Sequence, residues 1–464
     1  MSDGYLAEAL PSFARQQPVA RRLPAAAQIA IIAVSLLLAL LQGALWYRSV
    51  ELRGGPDRYA RLVDLAATLT GAQVIRDGRG IDLYDLAVQR TTQERVLAPL
   101  VILKADTLLP YIHPPFEALL FAPLLSLPYG LLYLLWSGLV VAATLAALFL
   151  LSRVTPLAPP ARWIALAAFC SFSPLYQAFW LGQSSPLVLL GLCGAYAGSK
   201  RGHEGWAGVS LALLVLKPQM LLIVGLLLLA QRRWKMLTAC AAIAGGLSVA
   251  AMPILGLGWP LRYARFLSGI GGWQGNHNEY PQIMYNWRGL LTNLLGPIAP
   301  EMLAPALVAL TVAALAGLFW AWRSLRPWSA SAPWGREHEL LWALVVPVAV
   351  LVAPHLYIHD LALLILPAWI VVARLVAMGE QRRTRVWLTL LWLGYALTLA
   401  SLFRAEDVPA FPTVPGVLLI AAMAGLLIHE IGTQAGSRPR VFESVTRADA
   451  VDAVPVGRAY VGRS

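Results

Sequence analysis

The sequence predicts an all-α polytopic membrane protein of about twelve transmembrane helices, with interfacial helices in its first outer loop. Three observations predict this. Mean hydropathy is +0.65. Hydrophobic residues make up 58% of the 464 positions and charged residues 13%, against about 25% charged in an ordinary soluble domain. Apolar runs of about 20 residues recur, as in Ala26–Trp46, Leu131–Leu151 and Met302–Trp322, each long enough to cross roughly 30 Å of hydrocarbon as a helix. The net charge of +12 does not point to nucleic acid, because the basic residues cluster in short loops, as the positive-inside rule requires.

The elements follow in order. Arg15, Arg21 and Arg22 precede the first span, 26–46, and place the N-terminus inside. That stretch is too long for a signal-peptide core and has no clear cleavage site, so it is kept as a span. The first outer loop is 47–112. Spans 131–151, 163–180, 186–199, 206–216, 219–230 and 236–256 lead to a second outer loop, 257–301. Spans 302–324, 339–353, 358–376, 386–402 and 413–430 complete the set. The pairs Arg153/Arg162, Lys200/Arg201 and Arg232/Arg233, and the group Arg374/Arg382/Arg383/Arg385, then all fall inside. The region 1–431 reads as one transmembrane domain, and 432–464 as a polar cytoplasmic tail, disordered. His113–Leu127 is apolar but broken by prolines and reads as re-entrant. Trp206–Ala230 reads as two short helices hinged at Lys217–Pro218, since basic loops flank both ends and Pro removes a backbone donor. Cys170, Cys193 and Cys240 lie inside apolar spans, unlike a disulfide or metal framework.

In the first outer loop, Tyr59, Leu62, Val63, Ala66, Leu69 and Val74 recur at helical spacing. Asp57–Arg76 is expected as one helix in the interface plane, with Arg58, Arg61 and Arg76 toward head groups. Asp64 is the carboxylate in its middle, whereas Asp57 and Asp77 sit at its ends, where capping is the simpler role. Asp64, His113, Gln183, Lys217, Arg288, His355 and the His359–Asp360 pair all sit at span ends, and the charge rule places them on one side. Charge beside hydrocarbon is costly, so their convergence indicates a shared polar site. Each has a plainer reading: Asp64 as a solvated surface acid, Lys217 as a cation snorkelling to head groups, the histidines as interfacial residues. His359 and Asp360 are not expected to face each other, being adjacent on a helix. The segment Trp273–Tyr280, with Asn276, suits sugar binding as well as it suits an aromatic belt. The sequence has no Asp-x-Asp pair and no His/Cys cluster of metal-ligand type.

Several motifs, in their order and spacing from the first span to about residue 370, resemble glycosyltransferase family 87. These are polyprenyl-phosphate-dependent mannosyltransferases of the GT-C glycosyltransferase fold, and include actinobacterial phosphatidylinositol-mannoside enzymes. An Asp after the first span is Asp64. Gly-x-x-Leu-Tyr-Asp is Gly80 to Asp85. Tyr-x-Tyr-Pro-Pro appears as Tyr111-Ile112-His113-Pro114-Pro115. Gly-Gln is Gly182-Gln183, Lys-Pro is Lys217-Pro218, Asn-x-x-Gly is Asn286 to Gly289, and the late His segment is His355 to Asp360. Two departures bear on the acceptor: Leu65, Ala66, Ala67 and Thr68 replace aromatic residues, and His113 replaces a Tyr.

The resemblance implies a glycosyltransferase in a bacterial inner (plasma) membrane, its active site facing the extracytoplasmic side. It would move a hexose, mannose in the family, from a polyprenyl-phosphate donor to a lipid or glycan acceptor. No cofactor or metal is implied. Asp64 is then the catalytic base. Lys217, Arg288, His355 and His359 are expected at the donor phosphate, and Tyr84, Asp85, His113, Gln183, Asn276, Asn286 and Asp360 at the sugar or acceptor. One base and direct displacement give inversion at the anomeric carbon. The rival reading is a transporter or flippase of lipid-linked sugars, which also uses buried cations and broken helices but is not matched here by a detectable repeat of the two halves.

Overall fold

The computed structural model describes residues 24–98, 100, 108–269, 280–325, 336–378, 382–403 and 412–436, and every regular element among them is helical. The chain opens with α1 (Ala25–Leu52). Four short helices follow in the first loop: α2 (Pro56–Ala60), α3 (Leu65–Arg76), α4 (Leu86–Leu97) and α5 (Phe116–Phe121). Next come α6 (Tyr129–Val154), α7 (Pro159–Cys170), α8 (Ser173–Leu181), α9 (Ser185–Lys200), α10 (Glu204–Leu211), α11 (Pro218–Ala230) and α12 (Trp234–Leu255). The second loop carries α13 (Trp259–Ser268) and α14 (Trp287–Leu294). The chain ends in α15 (Leu303–Ser324), α16 (Arg336–Val352), α17 (Ile365–Met378), α18 (Arg382–Ala400) and α19 (Thr413–Gly436).

Among the described residues, seven stretches are long and apolar enough to cross a membrane: α1, α6, α7 with α8, α12, α15, α17 with the tight turn before it, and α19. The protein is therefore polytopic, and its described residues form no regular element but helix. Seven of the twelve expected spans fall on these stretches, whereas those on α9, α11, α16, α18 and the stretch Glu204–Leu216 are helical but not among the seven. Helix α19 continues to Gly436, so the first residues of the expected tail are helical.

The surface of α1 is that of a helix in lipid. Leu36, Leu37 and Leu40 are exposed, while Ser35 and Gln42 are buried. Gln42 donates to the Ser171 carbonyl at 2.9 Å, where α7 gives way to α8. Pro174 in the first turn of α8 lacks the donor that would continue α7, so the expected span 163–180 is two helices. Between α9 and α10 the backbones nearly touch. A Cβ on Gly198 would lie 2.9 Å from the Ala207 nitrogen. Small residues permit such packing in lipid, where burying apolar side chains brings little hydrophobic gain.

The first loop corrects one expectation. The helix expected over Asp57–Arg76 is broken, with a turn at Arg61–Asp64 between α2 and α3. The two pieces dock on different partners: α2 packs on α6, α3 on α4 and α5. Asp57 accepts from the Gly130 nitrogen at 3.2 Å and pairs with Arg61, which anchors α2 to the start of α6. Leu65 through Ala72 are all buried, so α3 is an internal helix and does not float on the interface. Its packing on loop elements far along the chain is invisible to helical periodicity.

Two apolar cores result. One joins α2, α3, Tyr111, α5 and the first half of α6 to the end of α12. The larger joins α9, α10, α11, α16, α17 and α19. The cavity described next takes its walls from elements of both.

Candidate active site

A cavity of about 870 Å³ opens at the end of the bundle where α3, α11 and α14 begin. Its walls include Asp64, His113, Gln183, Lys217, Arg288, His355, His359 and Asp360. The structure thus brings together every polar landmark that the charge pattern assigned to one side.

Asp64 stands at the break before α3 but makes no capping bond to it. It is only partly buried. Its Oδ2 accepts from Gln183 Nε2 at 2.8 Å. Gly182 explains that contact. It ends α8 with φ +72°, a left-handed turn that favours glycine. A Cβ there would also lie 2.9 Å from the Leu65 Cβ. The Gly-Gln pair therefore turns the chain and lets it approach the residue next to Asp64. Burial pushes the Asp64 carboxyl above the ordinary carboxylate range. The Gln183 hydrogen bond and the nearby His113, His355 and Lys217 oppose that shift without cancelling it.

Lys217 lies between the 3-10 turn that ends at Leu216 and α11, which starts at Pro218, as the Lys-Pro break predicts. Its Nζ is 2.7 Å from Asp360 Oδ1, and both side chains are buried. Asp360 also accepts from Ser185 at 2.7 Å and from the Tyr357 backbone at 3.3 Å. His359 Nε2 lies 3.5 Å from Asp360 Oδ2. The two neighbours were not expected to meet. They do so within Ile358–Leu364, a 3-10 helix at the start of which both sit buried. Asp360 thus points at Lys217, and its oxygens are already engaged by protein.

Arg288 sits in the first turn of α14 and reaches the Pro354 carbonyl at 3.5 Å. Three motif residues do not line the cavity. Asp85 is exposed and caps α4, accepting from Ala87 at 2.8 Å and Val88 at 3.2 Å. Asn286 is buried, caps α14 through the Gly289 nitrogen and donates to the Ala353 carbonyl, both at 2.8 Å. Tyr84 donates to the His113 carbonyl at 3.1 Å. These residues shape the wall from behind. Asn276 lies outside the described residues.

Sequence reasoning missed Tyr263, Tyr285, Tyr357, Gln177 and Gln219, which also line the cavity. It missed Glu117 as well, a buried carboxylate with Oε2 3.6 Å from His113 Nδ1. Glu117 is the acidic residue of the apolar, Pro-broken stretch 113–127. The reasoning that singled out Lys217, an ionisable group within an apolar run, applied to it equally.

Of the carboxylates lining the cavity, Asp360 is paired with a cation, whereas Asp64 is held by an uncharged amide. The cavity thus joins a carboxylate able to take a proton, several cationic or imidazole groups, and an apolar wall that includes Leu216, Leu222, Leu267 and Leu307.

The chain is similar to the polyprenol-phosphate-mannose-dependent alpha-(1-2)-phosphatidylinositol pentamannoside mannosyltransferase of Mycolicibacterium smegmatis, 27% identical over 287 residues. That stretch is 59% of this chain and 61% of the relative, so less than two thirds of the relative's length is matched. No solved structure matches. The pattern of glycosyltransferase family 87 matches residues 111–354. That range is more than half of the chain and contains His113, Gln183, Lys217 and Arg288, and the chain belongs to glycosyltransferase family 87.

Proposed function

We propose that this protein transfers a hexose, mannose by analogy with its relative, from a polyprenyl-phosphate donor to a hydroxyl of a lipid or glycan acceptor. The observation that carries the reading is Asp64: a cavity carboxylate raised by burial, unpaired with any cation in the contacts described above, and facing the same space as Lys217, Arg288, His355 and His359. Asp64 takes the proton of the acceptor hydroxyl as the oxygen attacks the anomeric carbon. The leaving group is a phosphate, whose charge Arg288, His355 and Lys217 stabilise. A single base and a single displacement give inversion. The polyprenyl chain lies along the apolar wall near Leu222 and Leu307. In this reading the helices cross a bacterial inner membrane twelve times in a GT-C arrangement, with the cavity on the extracytoplasmic side. No metal takes part, since a monophosphate leaving group is already stable.

The test is transfer by purified protein. Labelled mannosyl phosphate lipid is offered with membrane lipids of the host, and the product is analysed for label and anomeric configuration. A wild-type preparation that moves the donor across vesicles without forming a glycosidic bond points instead to a flippase.

A further inference from the structure

The segment 108–113 that carries His113 is held more firmly than a loop needs. On α4, Gln93 receives the Leu109 nitrogen at 2.9 Å and donates to the Leu109 carbonyl at 2.7 Å. One helical turn earlier, Gln89 does the same to Tyr111, at 2.7 and 3.3 Å. Residues four apart on α4 thus meet residues two apart on this segment, and both carboxamides are buried. Tyr263 and Tyr84 then hold the Ile112 and His113 carbonyls. The Tyr111 hydroxyl donates to the Pro114 carbonyl at 2.5 Å, and the Tyr111 ring stacks on the His113 ring. So much fixation around one side chain is expected where an atom of that side chain must be placed accurately.

Glu117 completes the fixation. It lies one helical turn after His113, is 3% exposed, and sets Oε2 3.6 Å from His113 Nδ1. Its Oε1 has no hydrogen-bond partner among the described residues. A buried carboxylate so placed decides which imidazole nitrogen carries the hydrogen. With Nδ1 turned to Glu117, the ring sends Nε2 the other way.

We infer that Glu117 is a positioning residue that holds His113 with Nδ1–H toward its own carboxylate and Nε2 toward the cavity, where Nε2 accepts a hydrogen bond from a hydroxyl of the acceptor substrate beside Asp64. The inference rests on the transfer reading for its substrate and on geometry alone for the pair.

The experiment has two arms. In the first, acceptor and donor kinetics are measured for Glu117→Gln, His113→Gln and the double variant. Each single variant should lower kcat/KM for the acceptor about 10-fold, the loss of one well-placed hydrogen bond, with the donor KM unchanged. The double variant should fall no further than His113→Gln alone. Multiplied losses overturn the inference, because Glu117 then acts on its own. In the second arm, the histidines are acylated with diethylpyrocarbonate, and modification of His113 is compared with that of His355 by peptide mass spectrometry. Glu117→Gln should slow acylation of His113 several-fold relative to His355, and an unchanged ratio overturns the pair. This arm needs no turnover, so it still reads the pair if the wild-type protein transfers no sugar and the functional proposal fails.

Discussion

At the end of the bundle where α10, α12 and α16 begin, Arg233 lies 2.6 Å from Glu204 and 3.3 Å from His338. Lys200 lies 2.5 Å from Glu339 and 3.1 Å from the Thr155 hydroxyl. At the other end of the same helices, about 22 Å away along α9, Lys217 and Asp360 pair in the same manner, but Asp64 faces a large cavity with only an amide on it. Both ends hold charge out of water, and a hydropathy reading marks both. The difference is completion. Where each acid meets its base, the charges join helices. Where one carboxylate is left over beside open space, the protein bears a cost that a substrate can recover. Buried charge alone does not identify a site; unmatched charge facing a cavity does.

The contrast is broken most directly at Asp64. Asp64→Asn should lower transfer by roughly 10²–10⁴-fold, the range for a lost general base. Its effect on stability should have the opposite sign to that of a structural acid. Because burial raises the carboxyl in the folded state, that state binds the proton more tightly than the unfolded chain. Asp64 therefore costs stability as pH rises through its folded value. The Asn variant should melt no lower than wild type at neutral pH. In wild type the acid limb of the rate profile should lie above the ordinary Asp value of about 3.9. A lower melting temperature together with near-normal turnover would falsify the assignment.

The other end should behave in reverse. Arg233→Met leaves Glu204 without its cation and should cost about 3–5 kcal/mol of stability. Transfer per folded molecule should not change. Denaturation and active-site-normalised rates measured on one preparation separate the two effects.

Lys217 should show both behaviours. Lys217→Ala should weaken use of the phosphate-linked donor by about 1.5–3 kcal/mol, and should also destabilise the protein, since Asp360 loses its partner. In the double variant Lys217→Met with Asp360→Asn, stability should return and donor use should not. If both return together, Lys217 belongs with Arg233 as a structural cation.

The smallest effect is expected on the exposed rim. Asp77 pairs with Arg95 at 2.5 Å, and such surface pairs contribute about 0–1 kcal/mol. Asp77→Asn should leave turnover unchanged and shift the melting temperature slightly.

Hydropathy and charge made the helices legible, because lipid imposes length and composition on whatever crosses it. The convergence of Asp64, Lys217 and His355 was legible for the same reason: an ionisable group beside an apolar run needs an explanation. What was not legible depends on packing between distant segments. Nothing local breaks the helix at Arg61–Asp64; α6 and α5 pull its halves to different places. Nothing local marks Gln89 and Gln93, which read as the polar face of an ordinary helix until the segment 109–111 lies beside them. Motif matching placed Tyr84, Asp85 and Asn286 at the substrate, although their side chains cap helices and hold backbone. A motif records what a site requires, and scaffolding is required as strictly as contact.

The chain break at Lys217 has one more consequence. Helix α11 starts at the cavity, with Pro218 and Gln219 in its wall. Its first turn offers the positive end of its peptide dipoles, equivalent to about half a unit charge, to the place proposed for the phosphate. Peptide groups have no proton to lose. This share of the attraction stays constant across the pH range in which Asp64 gains its proton, so an acidified protein should still hold its donor while no longer able to spend it.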